Sequence, residues 1–200
     1  PYGRYNLTVR LSYDEGATWT AAHRSFGGSQ VYCRTEFAGK VYIGTTDTAG
    51  GPQVWVSSNL DRAASTWTRI WKGTAADAYI RWLKAWTHPQ ADRTYITFGT
   101  GGTGNESGTA QLWSIDPSDP AFPTQMLYDF NTGGGANAEN AGQVPRDISG
   151  NPLGFRDRQI RYIEDFENED GTMNFLMVGT SDNHLYAELN AQNIYHPDHT

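Results

Sequence analysis

Three segments of this 200-residue chain end an apolar, β-branched run in the same dipeptide, Gly-Thr: "VYIGTTD" at 41–47, "YITFGTG" at 95–101 and "FLMVGTSD" at 175–182. Each precedes a second short run, "QVWVSSN", "QLWSID" and "HLYAELN", closed by Asn59, Asp116 or Asn190. Each follows a run that carries an arginine, "VYCRTEF", "YIRWLKAW" and "QIRYIEDF". Arg81 and Arg161 both lie eighteen residues before their glycine, and Arg34 lies ten before Gly44. A further run follows the Asx position in the better copies: "WTAA" at 19–22, "WTRIWK" at 67–72 and "QMLYDF" at 125–130. Runs of four to eight residues bounded by Gly, Asn, Asp and Pro are strand signals, so the unit is four antiparallel strands.

A four-stranded meander recurring every 45 to 80 residues is the expectation for β-propeller blades, in which each twisted sheet buries both faces against its neighbours. A two-sheet sandwich leaves the repeat unexplained, and solenoid coils are shorter. The expected fold is therefore all-β: a propeller of four-stranded antiparallel blades, with pieces at about 1–25, 28–73, 77–131 and 156–197 and a long Gly-rich loop at 131–155. That is about three and a half blades. Exposed sheet edges invite pairing, so the ring is expected to be completed by further blades of the same or another chain. The start at Pro1, with neither Met nor a signal-peptide pattern, reads as a mature product or a piece of something longer.

Composition narrows the partner. With 22 acids against 15 Lys and Arg, the net charge of −7 argues against nucleic acid or an anionic membrane. No run approaches the eighteen apolar residues of a membrane span. The single cysteine, Cys33, rules out an internal disulfide framework and reads as a buried, inert thiol. The five histidines show no metal-ligand spacing apart from the terminal "HPDH", and neither a Gly-x-Ser-x-Gly elbow nor a phosphate loop occurs. No metal and no cofactor are expected.

The run Ser12-Tyr13-Asp14-Glu15-Gly16-Ala17-Thr18-Trp19 is a turn of a particular kind. A short carboxylate accepts backbone N–H groups of its own turn, glycine supplies a positive φ, and tryptophan gives an apolar anchor. Calcium suits it poorly, because a cation loop needs several alternating oxygens and a distal glutamate. The segment resembles the Asp-box, or BNR repeat, of sialidases and related propellers, with Ser12, Asp14, Gly16 and Trp19 as its structural residues. The other copies keep Ser57, Ser114 or Glu188 two places before the Asx residue. In that family the box lies between the third and fourth strands, away from the active site.

Because antiparallel strands alternate direction, the start of the first strand and the loop after Gly-Thr share the opposite rim. Arg34, Arg81 and Arg161 are the candidates there to grip a carboxylate or sulfate, for which the planar guanidinium is suited, with Asp47 and Asp182 after Gly-Thr as further substrate-binding candidates. The resemblance to sialidases implies an arginine triad, and a Tyr162–Glu164 pair is the weak counterpart of the family's Tyr nucleophile and its Glu. The family's Asp acid/base would precede Pro1. Ion pairing of Arg34 with Glu36, and of Arg161 with Glu164 or Asp165, accounts for the same arginines without a ligand. The implied function is a secreted or extracellular propeller acting on or binding acidic glycans, as a sialidase-like hydrolase or a polysaccharide lyase. The alternative is a non-catalytic glycan-binding, adhesive or assembly module, since propellers host both.

Overall fold

The computed structural model describes residues 8–10, 12, 14–19, 24–25, 30–46, 50–58, 66–74, 77, 79–88, 92–102, 110–129, 159–167, 174–180 and 185–187. These residues form thirteen antiparallel strands and no helix. A short ribbon pairs β1 (Thr8–Val9) with β2 (Arg24–Ser25); of the outer strand expected at 19–22 only Trp19, which is not in a strand, is described, and residues 20–22 lie outside the described residues. The first four-stranded sheet contains β3 (Gln30–Phe37), β4 (Lys40–Thr46), β5 (Gln53–Ser57) and β6 (Trp67–Lys72) in chain order. The second contains β7 (Tyr79–His88), β8 (Arg93–Gly101), β9 (Gln111–Ile115) and β10 (Thr124–Asp129). The third contains β11 (Ile160–Glu167), β12 (Asn174–Thr180) and β13 (Leu185–Ala187). The expected fourth strand of that sheet lies outside the described residues, as does the loop at 131–155.

Meander order follows from short connections. Ala38 and Gly39 join β3 to β4 in a tight turn with both φ values positive, 50° and 72°. Between the first and second sheets the chain is capped by Asp77, whose Oδ2 accepts from Thr74 N at 2.7 Å and from Thr74 Oγ1 at 2.8 Å. Backbone pairing runs mainly within each sheet, which leaves the sheet faces as the main source of tertiary stability.

Those faces pack in a row. Tyr42, Val54 and Val56 of the first sheet meet Ile80, Leu83, Ile96, Phe98 and Ile115 of the second in one apolar cluster. A second cluster joins Trp86, Leu112 and Leu127 of the second sheet to Ile160, Ile163, Leu176 and Val178 of the third. The contacts between sheets centre on β7, which meets β3 and β4 on one side and β11 on the other, and β11 also meets β8. Among the described residues the sheets form an open row, not a closed ring.

The repeated glycine explains how the sheets approach. A Cβ on Gly44 would lie 2.6 Å from Ile80 Cγ2, and one on Gly99 would lie 2.4 Å from Ile160 Cβ. Each glycine thus leaves the space that the isoleucine opening the next sheet's first strand fills. The same local irregularity recurs opposite the Gly-Thr step. The register slips between Val31 and Cys33, between Ile80 and Trp82, and between Ile160 and Tyr162, while Cys33, Trp82 and Tyr162 pair with Gly44, Gly99 and Gly179.

That register corrects the repeat alignment in two places. The bulged residue equivalent to Arg81 and Arg161 is Tyr32, and Arg34 falls two positions later. In the second sheet, Phe98 pairs with Trp113 and Thr97 with Ser114, as Ile43 pairs with Trp55 and Tyr42 with Val56. Asp116 therefore corresponds to Ser58, not Asn59. The hydrogen bonds closing the two turns agree, from Asp116 N to Pro123 O at 3.0 Å and from Ser58 N to Thr66 O at 2.7 Å. A slip of one residue exchanges the two faces of a strand, so Ser114 takes the place of Val56 and not that of Ser57.

Gly99→Ala is expected to lower stability by about 1–3 kcal/mol through overpacking. In an Ile160→Gly background the same substitution should cost clearly less, since the Cβ, Cγ2 and Cδ1 atoms that it would meet are gone. Urea unfolding of the four proteins of this cycle measures the coupling, and additive effects would contradict the contact.

Candidate functional site

The bulges place three side chains at one level of adjacent first strands: Tyr32, Arg81 and Arg161. A bulge re-aims its side chain relative to the regular pleat. Arg81 enters an aromatic bracket, its guanidinium carbon 5.2 Å from the ring centre of Tyr32 and 4.7 Å from that of Tyr79. Such contacts contribute about 0.5–1 kcal/mol when exposed and about 2 when desolvated. Arg81 Nε is buried without a hydrogen-bond partner among the described residues. Arg161 is exposed.

A cleft of about 450 Å³ opens beside this level. Tyr32, Arg34 and Glu36 of β3, Trp82 and Lys84 of β7, and Glu164 of β11 line it. Its size lies within the range of small-ligand pockets. The Trp82 ring tilts against Tyr162 with centroids 5.6 Å apart, which gives the inner strands an aromatic wall.

The charges in the cleft come in opposite pairs. Arg34 Nη1 lies 3.4 Å from Glu36 Oε1, and both side chains are largely exposed. This is a long, exposed pair of the kind that contributes little, and it leaves most guanidinium N–H groups free to meet a ligand. Lys84 is held by Glu164 and by Asp165, the latter at 2.5 Å. Burial pulls the Lys84 ammonium toward neutrality, but the two carboxylates outweigh it and hold its pKa above the ordinary lysine value. The acids expected to serve Arg161 thus serve Lys84. That lysine was missed because nothing in the sequence marks a β7 residue as facing β11.

The structure therefore brings Arg81 together with Tyr32 and Tyr79, and places Arg34 in the cleft beside Glu36. Tyr162 and Glu164 lie two apart on β11, as period-2 alternation requires, yet they have different neighbours: Trp82 for the phenol and Lys84 for the carboxylate. Asp47 and Asp182 lie outside the described residues. Cys33 borders the cleft, and burial pushes its thiol up to about 12 while Sγ donates weakly to Ile80 O at 3.7 Å. It is a packing thiol with little thiolate at neutral pH. Among the described residues no group of three His, Cys, Asp or Glu could hold a metal ion.

Between β1 and β2, Asp14 fastens its own turn. Asp14 Oδ1 accepts from Ser12 Oγ and Thr18 N, each at 2.8 Å, and Oδ2 accepts from Thr18 Oγ1 at 2.5 Å. Ser12 Oγ in turn accepts from Gly16 N at 2.7 Å. Gly16 has φ +93° and faces Trp19 Cζ2. Trp19 itself is 61% exposed, so it covers the turn without being anchored in apolar packing as expected. The hydrogen bonds from Thr18, followed by that from Ser12, hold the Asp14 carboxyl below its ordinary value.

Comparison with protein-family models, with curated proteins and with solved structures gives no match. What the fold and cleft define is an all-β protein of packed antiparallel sheets with a charged, aromatic-walled cleft along their first strands.

A carboxyl with a depressed folded pKa stabilises above its unfolded value of about 3.9 and loses that contribution as the pH falls through the folded one. Protection of the Thr18 amide, its exchange rate taken relative to the intrinsic rate at the same pH, should therefore be present at neutral pH and fall away below about pH 4. Asp14→Ala should abolish that protection at both, and protection that ignores pH would refute the carboxylate's role.

Proposed function

We propose that this chain is part of a secreted β-propeller of the Asp-box kind that binds an acidic glycan in the cleft along β3, β7 and β11, without catalysing its hydrolysis. The observation that carries this reading is the make-up of the cleft. Of the residues lining it, Arg34 is loosely paired and solvent-facing and Trp82, whose ring tilts against Tyr162 behind it, supplies an aromatic surface, while Arg81 and Arg161 occupy the equivalent bulges of β7 and β11. A sugar ring can lie against the aromatic wall while its carboxylate or sulfate meets guanidinium N–H groups.

The binding reading is preferred over hydrolysis on the state of Glu164. A carboxylate that is to take a proton from Tyr162 must reach the phenol, and in this arrangement it is committed to Lys84. The polysaccharide lyase reading loses Glu164 as a base for the same reason. With a net charge of −7 the rest of the surface repels polyanions, so affinity for an acidic glycan must come from this local set of cations.

A glycan array that includes sialylated and sulfated sugars tests the proposal. Arg34→Ala and Arg161→Ala are each expected to weaken acidic-glycan binding by about 1.5–3 kcal/mol, the range for charge-assisted hydrogen bonds. Raising the salt should weaken binding as well. Binding unchanged in both variants would sink the site. Turnover of a sialoside or an acidic polysaccharide that is lost in Tyr162→Phe would instead favour the enzyme.

A further inference from the structure

A second cleft, of about 410 Å³, lies at the opposite end of the second sheet, where β9 turns into β10. Arg93, Tyr95, Ser114, Asp116, Thr124 and Gln125 line it. We infer that this cleft binds a neutral sugar, independently of the cleft along the first strands.

The first sheet supplies the comparison. By register, Tyr42 and Val56 there correspond to Thr97 and Ser114 in the second sheet. Tyr42 and Val56 are buried in the apolar cluster between the first two sheets. Thr97 is fully buried, and its Oγ1 has no hydrogen-bond partner among the described residues. Its cross-strand neighbour Ser114 is also buried and opens onto the cleft. Side chains paired across strands share a face, so this part of the second sheet is polar where its sister is apolar. Burying a hydroxyl without a partner costs stability, and a sheet built only for packing has no use for the exchange.

The cleft is also preorganised. Arg93 Nη2 is fixed between Asp116 Oδ2 at 2.7 Å and Ser118 Oγ at 3.0 Å. Asp116 Oδ1 accepts from Ser118 N at 2.9 Å and Ser118 Oγ at 2.6 Å, so the carboxylate is held in turn. The guanidinium therefore keeps its orientation and its remaining N–H groups, while the adjacent carboxylate offsets its charge. That removes the advantage of an anionic ligand and retains directional donors. Tyr95 offers a half-buried ring, Ser114 a hydroxyl and Gln125 an amide, while Thr124 Oγ1, which donates to Phe122 O at 3.1 Å, offers an acceptor. An aromatic face with a few fixed donors and acceptors fits the C–H face and hydroxyl rim of an uncharged pyranose.

Saturation-transfer NMR and calorimetric titration with lactose, cellobiose, maltose and mannobiose test the inference, with sialyllactose as the acidic probe. At least one neutral disaccharide should bind the unmodified protein and lose about tenfold or more in affinity in both Tyr95→Ala and Gln125→Ala. Arg34→Ala should leave that binding unchanged. Gln125→Ala removes a side chain outside the apolar clusters, so it decides the matter if Tyr95→Ala does not fold. No binding of any of the four neutral sugars, binding that survives Gln125→Ala, or binding lost in Arg34→Ala would each overturn the inference. Loss of sialyllactose binding in Arg34→Ala bears only on the first cleft.

Discussion

The close approach of one sheet's glycine to the next sheet's isoleucine sets the geometry on which the rest depends. At Gly44 and Ile80, and again at Gly99 and Ile160, the isoleucine side chain occupies the space that a Cβ would need. Most hydrogen bonding lies within each sheet, and only scattered bonds join one sheet to the next, such as Ala85 N to Thr35 Oγ1 at 3.2 Å and Lys84 to Glu164. Dispersion and apolar burial supply most of the contact between sheets, and both fall steeply with separation. Bringing the first strands this close closes the two apolar clusters and sets β3, β7 and β11 side by side. Only then can a bulged Tyr32 reach Arg81, or Lys84 reach β11.

The same proximity decides the electrostatics of the cleft. An arginine trio pointing at one empty space would carry uncompensated like charge, which a protein tolerates only with a ligand or acids nearby. Here the cations differ in their company. Arg81 is half-buried against two rings, Lys84 is locked by two carboxylates, and Arg34 is loosely paired in solvent. A network of this kind rigidifies the inner strands and leaves Arg34 and Arg161 as the adaptable groups. The two clefts differ accordingly: one keeps exposed guanidinium groups, and the other neutralises its arginine with Asp116.

Much of the architecture was legible in the residues. The Gly-Thr endings located β4, β8 and β12, the β-branched and aromatic runs located their partners, and the hydroxyl-x-Asp-x-Gly pattern described a turn whose hydrogen bonds are the expected ones. The slip in the second copy has a physical cause. Its Asx residue was used as the anchor, yet turn length varies between sheets. The apolar-aromatic pairs Val54-Trp55 and Leu112-Trp113 were the better anchors, because packing against Ile43 and Phe98 fixes their register. The candidate site was legible only as a set of strands. Arg34 was matched to Arg81 by residue type, whereas the bulge matches Tyr32 to Arg81.

Strand identity, meander order and the self-contained turn at Asp14 follow from local rules: period-2 alternation, β-branched content, and side chains that bond to backbone within four residues. Those rules act over a few residues and can be read along the chain. Which side chains meet between sheets is a matter of long-range register, and one bulged residue redirects every contact around it. The bracket of Arg81 by Tyr32 and Tyr79, the capture of Glu164 by Lys84 and the polar face at Thr97 and Ser114 were therefore decided by the packed sheets alone.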